Sequence, residues 1–105
     1  MKIALVGYGK MGRAIDAVAT DAGHQIVAKI DHTSQLDSIV SLSPDVAIEF
    51  SQPEVAFDNI YFLVDNQIPV VTGTTGWLDK LPSIIDLVKE KQGTFLYASN
   101  FSIGV

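Results

Sequence analysis

The sequence contains no cysteine, which excludes a disulfide framework and any metal site built from thiolates. Histidine is scarce as well, since the sequence contains only His24 and His32. Two histidines without cysteine make a poor set of metal ligands, so we predict no metal site. No apolar run approaches the ~18 residues that would span a bilayer. The few apolar residues after Lys2 do not make a signal peptide. We therefore expect a cytoplasmic protein without a membrane partner.

Positive charge is also in short supply. The seven lysines and arginines are outnumbered by twelve acidic residues, for a net charge of −5, and no basic cluster interrupts the sequence. This balance argues against a nucleic-acid partner. The length of 105 residues, with 48% hydrophobic and 18% charged residues, indicates one ordinary globular domain with a modest core.

The first dozen residues carry the most informative pattern in the chain. The apolar run 3–6 passes directly into Gly7, Gly9 and Gly12, spaced as G-x-G-x-x-G, and then into a helix-like stretch. In a βαβ unit these glycines allow a tight turn, close approach of a pyrophosphate, and packing of helix on strand. Asp31 follows Gly12 by 19 residues, where a carboxylate can bind both ribose hydroxyls. The alternative is a structural turn with a surface aspartate.

Strand-like and helix-like segments alternate along the chain. We predict helix ends from Gly23 and Gly93, and a helix start at Ser51, which would act as the N-cap of a capping box with Glu54. The predicted strands are 2–6, 24–30, 46–50, 68–72 and 94–98. The predicted helices are 11–22, 35–40, 79–91 and one that starts within 51–54 and runs to about 66. This order predicts an α/β fold, a Rossmann-like doubly wound parallel sheet with helices on both faces.

In such a sheet, ligands bind beyond the carboxyl ends of the strands. The residues expected there are small, hydroxyl-bearing or amide-bearing, and they include no serine or cysteine nucleophile paired with a histidine. The predicted strand ends lie at 7–12, 31–32, 50–52, 73–76 and 99–101. Trp77 is interpreted as a packing residue, whereas Lys10 and Arg13 could balance phosphate charge or be solvated.

Two further motifs carry a family resemblance. The G-T-T-G turn at 73–76 and the string A-S-N-F-S-I-G-V at 98–105, behind the glycine turn with Met11, Gly12 and Arg13, resemble the 4-hydroxy-tetrahydrodipicolinate reductases of lysine and diaminopimelate synthesis. The resemblance spans the whole chain. The family often has a first turn one residue longer, with an arginine where this chain has Lys10.

The resemblance implies a dinucleotide site and one substrate contact. Together with the strand-end argument, it places cofactor contacts at the glycine turn, beyond the second and third strands, at the G-T-T-G turn and at the C-terminal string. Thr75 would also face the substrate. The full set of predicted cofactor contacts is Gly7, Tyr8, Gly9, Lys10, Met11, Gly12, Asp31, Phe50, Ser51, Gly73, Thr74, Thr75, Ala98, Ser99, Asn100 and Phe101.

The resemblance also implies what the chain lacks. The family's substrate-binding and catalytic domain would follow Val105, so residues 1–105 are interpreted as the dinucleotide-binding domain, and no catalytic residue is assigned. The intact enzyme would reduce a small cyclic dicarboxylate and form a homotetramer through the missing domain, which leaves this chain monomeric. Two alternatives stay open: the nucleotide domain of another amino-acid or polyol dehydrogenase, and a stand-alone dinucleotide-binding regulatory module.

The cofactor is predicted to be NADH or NADPH, with NADH favoured. Asp31 would accept hydrogen bonds from ribose hydroxyls and repel a 2′-phosphate. No arginine stands beside it, and the neighbouring His32 is mostly neutral at pH 7 if unperturbed. Lys10, Arg13 or Lys29 could still reach the phosphate from elsewhere in the fold.

Overall fold

The computed structural model describes residues 1–31 and 35–97. Strands and helices alternate along the chain, as the sequence predicts. The strands are β1 (Lys2–Val6), β2 (Gln25–Ile30), β3 (Val46–Glu49), β4 (Val70–Thr72) and β5 (Phe95–Tyr97), and the helices are α1 (Lys10–Asp21), α2 (Ser38–Leu42), α3 (Pro53–Asp65) and α4 (Leu81–Lys91), the last preceded by a 3₁₀ turn (Leu78–Lys80).

The five strands form one parallel sheet in the order β2-β1-β3-β4-β5. The chain steps from β1 to β2 in one direction and then passes β1 to reach β3 on the other side. This reversal places a topological switch point between β1 and β3. The predicted doubly wound Rossmann-like sheet is confirmed.

The strand register aligns the carboxyl ends of the strands in one row. Val6 of β1 pairs with Ile30 and Glu49, Glu49 pairs with Thr72, and Thr72 pairs with Tyr97. Each of these residues is the last of its strand. The loops that follow the strands therefore leave the sheet along the same edge.

Helices cover both faces of the sheet because successive strand residues point to opposite sides. Ile3 and Leu5 pack with Ala19 of α1 on one face. Ala4 and Val6 pack on the other face in a larger cluster that includes residues from α2, α3 and α4. Helix α3 contributes a fully or almost fully buried stripe at helical spacing: Ala56, Ile60, Leu63 and Val64. In the part of the chain that the structure describes, no helix is long and apolar enough to cross a membrane.

The helix ends differ from the sequence predictions in two places. Gln52, not Ser51, is the N-cap of α3, and it makes no side-chain capping bond, so the predicted capping box is wrong. The hydroxyl of Ser51 instead donates to the carboxylate of Glu49. Helix α4 ends at Lys91, and the left-handed residue that follows it is Gln92, with a φ of 54°, rather than the predicted Gly93. Gly23 adopts the left-handed conformation expected after α1, with a φ of 91°.

The remaining boundaries shift by a few residues. The third predicted strand ends at Glu49 rather than residue 50, and the fourth begins at Val70 rather than residue 68. The short helix predicted at 35–40 is observed at Ser38–Leu42. Trp77 packs as predicted: it is 1% exposed, and its indole N–H donates to the carbonyl of Thr74 at 2.7 Å.

Candidate functional site

A groove of about 370 Å³ lies at the carboxyl edge of the sheet, beside the switch point. It joins the glycine turn after β1, the end of β2 and the loop after β3. Eight of the predicted cofactor contacts line it: Gly7, Tyr8, Gly9, Lys10, Met11, Asp31, Phe50 and Ser51.

Each glycine of the first turn has a distinct structural environment. A Cβ on Gly7, whose φ is +96°, would lie 1.8 Å from the carbonyl oxygen of Phe50. A Cβ on Gly12 would lie 2.4 Å from the carbonyl oxygen of Gly7. A Cβ on Gly9 would meet nothing within 4 Å. The fold therefore requires Gly7 and Gly12, whereas Gly9 leaves open space above the turn.

That open space faces the start of α1. Gly9 is the N-cap of this helix and supplies no side-chain capping bond, and the first turn contains no acidic residue. The first amide N–H groups of a helix lack partners within the helix and carry a partial positive charge. This helix end, with the exposed Lys10 beside it, is suited to bind an anionic group such as a pyrophosphate.

Asp31 contributes a carboxylate to the lining of the same groove. It follows the last residue of β2 and is exposed. Its backbone N–H donates to Oε1 of Gln35 at 3.2 Å. The side chain thus lies at the end of the strand, where the ribose of a bound nucleotide would place its hydroxyls.

A charged cluster surrounds the ring of Tyr8. The Tyr8 hydroxyl donates to Oδ2 of Asp16 at 2.6 Å, and Nζ of Lys29 lies 3.2 Å from the same oxygen. Arg13 and Lys29 sit over the ring, 5.1 and 5.3 Å from its centroid. Lys29 lies two residues before Asp31 in the sequence. Within the cluster, this lysine is paired with Asp16.

The contacts in this cluster shift three pKa values. The hydrogen bond from Tyr8, supported by one from Thr20, holds the pKa of the Asp16 carboxyl below its usual 3.8. The bond to Asp16 raises the pKa of Tyr8 above its usual 10.0. The hydrogen bond with Asp16, together with that carboxylate's charge, raises the pKa of Lys29.

A buried carboxylate at the end of β3 was missed by the sequence analysis. Glu49 is fully buried and accepts hydrogen bonds from the hydroxyls of Thr72 and Thr74, at 2.6 and 2.7 Å, and of Ser51. The sequence signal was available: an acidic residue interrupts a buried apolar strand, and hydroxyl residues follow at the ends of two adjacent strands.

The G-T-T-G turn lies next to the loop after β3. The Gly73 amide donates to the carbonyl of Glu49 at 3.0 Å. The side chain of Thr74 is buried, whereas Thr75 is exposed. A Cβ on Gly76, whose φ is +84°, would lie 3.1 Å from Pro53 at the start of α3. Among the described residues, Gly73, Thr74 and Thr75 stand beside the groove rather than in its lining.

The remaining predicted cofactor contacts belong to the string near the C-terminal end of the sequence. Ala98, Ser99, Asn100 and Phe101, as well as His32, lie outside the described residues.

Sequence comparison places the chain in a known family. Residues 1–101 match the family described as dihydrodipicolinate reductase, N-terminus. The chain belongs to the dihydrodipicolinate reductase family. A 4-hydroxy-tetrahydrodipicolinate reductase from Christiangramia forsetii is 45% identical over all 105 residues, which cover 44% of that protein. The chain thus spans less than half the length of this relative.

Solved structures support the fold of this reductase-family chain. A hyperthermophilic archaeal homoserine dehydrogenase in complex with NADPH superposes with a TM-score of 0.73 at 14% identity, over 93% of this chain and 43% of that one. A signal receiver domain from Desulfovibrio desulfuricans superposes with a TM-score of 0.59 at 13% identity, over 95% and 82%. Proteins of different function therefore share this type of sheet, and the function of the chain must be argued from its site.

Proposed function

We propose that this chain is the dinucleotide-binding domain of a 4-hydroxy-tetrahydrodipicolinate reductase of lysine and diaminopimelate synthesis. It binds NADH or NADPH across the carboxyl edge of the sheet. The observation that carries this proposal is the groove, in which the uncapped start of α1, the open face of Gly9 and the carboxylate of Asp31 stand together.

Each part of the groove has a role in binding. The first amides of α1 and the side chain of Lys10 hold the pyrophosphate, and Asp31 accepts hydrogen bonds from the adenosine ribose. Ser51, Phe50 and the turn at 73–75 flank the other half of the dinucleotide, with Thr75 facing the substrate. The C-terminal string that contains Ala98, Ser99, Asn100 and Phe101 completes the predicted set.

When bound, the dihydronicotinamide supplies a hydride to the cyclic dicarboxylate. The described residues bind and orient the cofactor, and the proton comes from the remainder of the reductase. The relatives, which are more than twice as long as this chain, have room for such a second domain. We propose a homotetramer for the intact enzyme, a monomer for this chain, and a cytoplasmic location.

NADH is the favoured cofactor in this proposal. A 2′-phosphate would meet the negative charge of Asp31, and Lys29, a neighbouring cation, is paired with Asp16. The carboxylate and the ribose hydroxyls are instead complementary as acceptor and donors.

Calorimetric titration of the chain with NADH and NADPH tests the binding proposal. The expected result is saturable binding of one dinucleotide per chain. A matched pair of variants locates the site: Lys10→Ala removes a cation from the groove, and Lys91→Ala removes one from the end of α4 at the opposite edge of the sheet. Lys10→Ala should weaken binding about threefold to tenfold, and Lys91→Ala should leave it unchanged. Absence of binding by the unsubstituted chain would contradict the proposal.

A further inference from the structure

The buried carboxylate of Glu49 joins two loops at the edge of the sheet. Its Oε1 atom accepts hydrogen bonds from Thr72 and Thr74 of β4 and the turn that follows, and its Oε2 atom accepts one from Ser51 in the loop after β3. Because an ionised carboxylate has no proton to donate, it can only accept hydrogen bonds, and all three hydroxyls donate to it.

Each of these hydroxyls also accepts a hydrogen bond from a second group. Oγ1 of Thr74 accepts from the backbone N–H of Ser51 at 2.8 Å, and Oγ1 of Thr72 accepts from the backbone N–H of Thr74 at 3.2 Å. Oγ of Ser51 accepts from Nδ2 of Asn59 in α3 at 3.3 Å. The carboxylate therefore orients hydroxyls that in turn hold the backbone of both loops, and we call this set of side chains the Glu49 network.

Core packing alone does not account for a carboxylate at this position. Transfer of a charged group from water to a protein interior is costly, and an apolar side chain of similar volume often stabilises a fold as well as a buried ionic group does. What an apolar side chain cannot do is fix the loop after β3 to the turn after β4 through directional hydrogen bonds. The Glu49 network thus specifies loop positions.

These two loops lie on one side of the switch point. Asp31, beyond β2, lies on the other side, and the helix end that would hold the pyrophosphate follows β1. A dinucleotide whose adenosine lies at Asp31 extends past β1 toward β3 and β4. Its nicotinamide half therefore reaches the loops that the Glu49 network fixes, and its adenosine half does not.

We propose that Glu49 is a positioning residue for the nicotinamide half of the cofactor. By holding Ser51 and Thr74 at a set separation, it shapes the subsite into which the nicotinamide ribose and ring fit, without contacting the cofactor itself. This role rests on the proposed function, since it requires a dinucleotide in the groove.

The test compares the affinities for NADH and ADP in the protein as its gene encodes it. ADP carries the adenosine and both phosphates but lacks the nicotinamide half. Two variants weaken the network: Glu49→Gln, which turns one acceptor atom into a donor facing Ser51, and Thr72→Val, which keeps the side-chain shape but removes a hydroxyl. NADH should bind at least about tenfold more weakly to each, as expected for a buried hydrogen bond lost, while the affinity for ADP stays within about twofold.

Two controls separate positioning from packing. Thr72→Ser keeps the hydroxyl but loses the methyl group, and it should retain the NADH affinity that Thr72→Val loses. Ile84→Val removes one methyl group from the fully buried core under α4 and should lower stability without changing either affinity. Thermal unfolding of each variant shows that it is folded.

The outcomes distinguish the two proposals. Failure of the unsubstituted protein to bind NADH would overturn the proposed function and this role with it. If it binds NADH, an unchanged NADH affinity in Glu49→Gln and Thr72→Val, or equal losses of NADH and ADP affinity, would overturn the positioning role alone.

Discussion

The glycines of the first turn show how one short motif meets two kinds of requirement. Gly7 and Gly12 are required by the fold, because a side chain on either would overlap the backbone of its neighbours. Gly9 has no such restriction, since a Cβ there would point into open space. In our account that space belongs to the pyrophosphate, so Gly9 serves the ligand alone.

Substitution of Gly9 separates binding from folding. In Gly9→Val we expect the affinity for NADH to fall at least about a hundredfold, or ~3 kcal/mol, because the isopropyl group occupies the pyrophosphate position. The free energy of unfolding should change by about 1 kcal/mol or less. Calorimetry and urea unfolding measure the two quantities.

Gly7→Ala provides the matched comparison in the same turn. It should destabilise the fold by at least about 2 kcal/mol, because its Cβ would overlap the Phe50 carbonyl and its φ is positive. Unchanged NADH affinity in Gly9→Val would remove this turn from the cofactor site.

Asp31 should decide between the two dinucleotides. The unsubstituted chain should bind NADH at least modestly more tightly than NADPH, and Asp31→Ala should reduce or reverse that preference because it removes both the ribose acceptor and the charge that repels a 2′-phosphate. Paired titrations at one ionic strength measure the ratio. Tighter binding of NADPH by the unsubstituted chain, or an unaltered ratio in the variant, would show that another residue sets the preference.

The residues that could be predicted from sequence are those whose role depends on near neighbours. Gly7, Gly9, Gly12 and Asp31 form a pattern within one βαβ unit, and all of them except Gly12 line the same groove. The role of Glu49 depends on Thr72 and Thr74, which lie 23 and 25 positions away. Those contacts exist because the parallel register aligns the ends of β3 and β4, and spacing along the chain does not reveal that register.

At the level of secondary-structure elements, the types were predictable but some helix ends were not. Ser51 fits the sequence pattern of an N-cap, yet its hydroxyl donates to Glu49 and the N-cap of α3 is Gln52. An N-cap hydroxyl accepts from a backbone N–H of the first helical turn, whereas Oγ of Ser51 accepts from Nδ2 of Asn59 at 3.3 Å and is oriented by its donation to the Glu49 carboxylate. The tertiary hydrogen bond therefore overrides the local capping pattern.

The Tyr8 cluster connects the turn after β1 to α1 and β2. Asp16 of α1 accepts the hydroxyl proton of Tyr8 and pairs with Lys29 of β2, so one carboxylate holds three elements together. Since the folded state lowers the pKa of Asp16 below 3.8, the cluster stabilises the fold above that pH, and this contribution is lost as the pH falls through the folded-state pKa.

Removal of the Asp16 carboxylate should therefore change how the free energy of unfolding depends on pH under acidic conditions. Between about pH 4 and pH 2, the free energy of unfolding should fall less steeply in Asp16→Asn than in the unsubstituted chain. Asp65→Asn is the control, because Asp65 carries the same charge but has one exposed lysine partner, Lys91 at 3.4 Å. Chemical denaturation across this pH range gives both curves, and parallel curves for Asp16→Asn and the unsubstituted chain would contradict the linkage.

On the scale of the whole molecule, we propose that binding and chemistry are divided along the protein. The described residues form the groove proposed for the dinucleotide at one edge of a sheet, and the chain accounts for 44% of the length of its relative from Christiangramia forsetii. The order of strands and helices was sufficient to predict this sheet. The substrate, the proton donor and the assembly are not encoded in the periodicity of these 105 positions.

This division predicts different behaviour for the chain and for the intact reductase. The 105-residue chain should bind NADH but give no measurable turnover of 4-hydroxy-tetrahydrodipicolinate, whereas a protein that also contains the second domain should reduce it. A steady-state assay of NADH oxidation compares the two, and sedimentation at micromolar concentration should show the chain as a monomer. Reductase activity from the pure chain, or a stable tetramer of it, would refute the division.

We propose that the dinucleotide lies across the carboxyl ends of the strands, with its pyrophosphate at Gly9. Amide chemical-shift mapping of the isotopically labelled chain during titration with NADH tests this most directly. We expect the largest shifts at 7–12, Asp31, Ser51 and 73–75, and loss of the 7–12 shifts when Gly9→Val is titrated at the same concentrations. Shifts centred instead on the apolar groove lined by Ile15, Val18, Val46 and Ile48, or no shifts in the glycine turn, would contradict it.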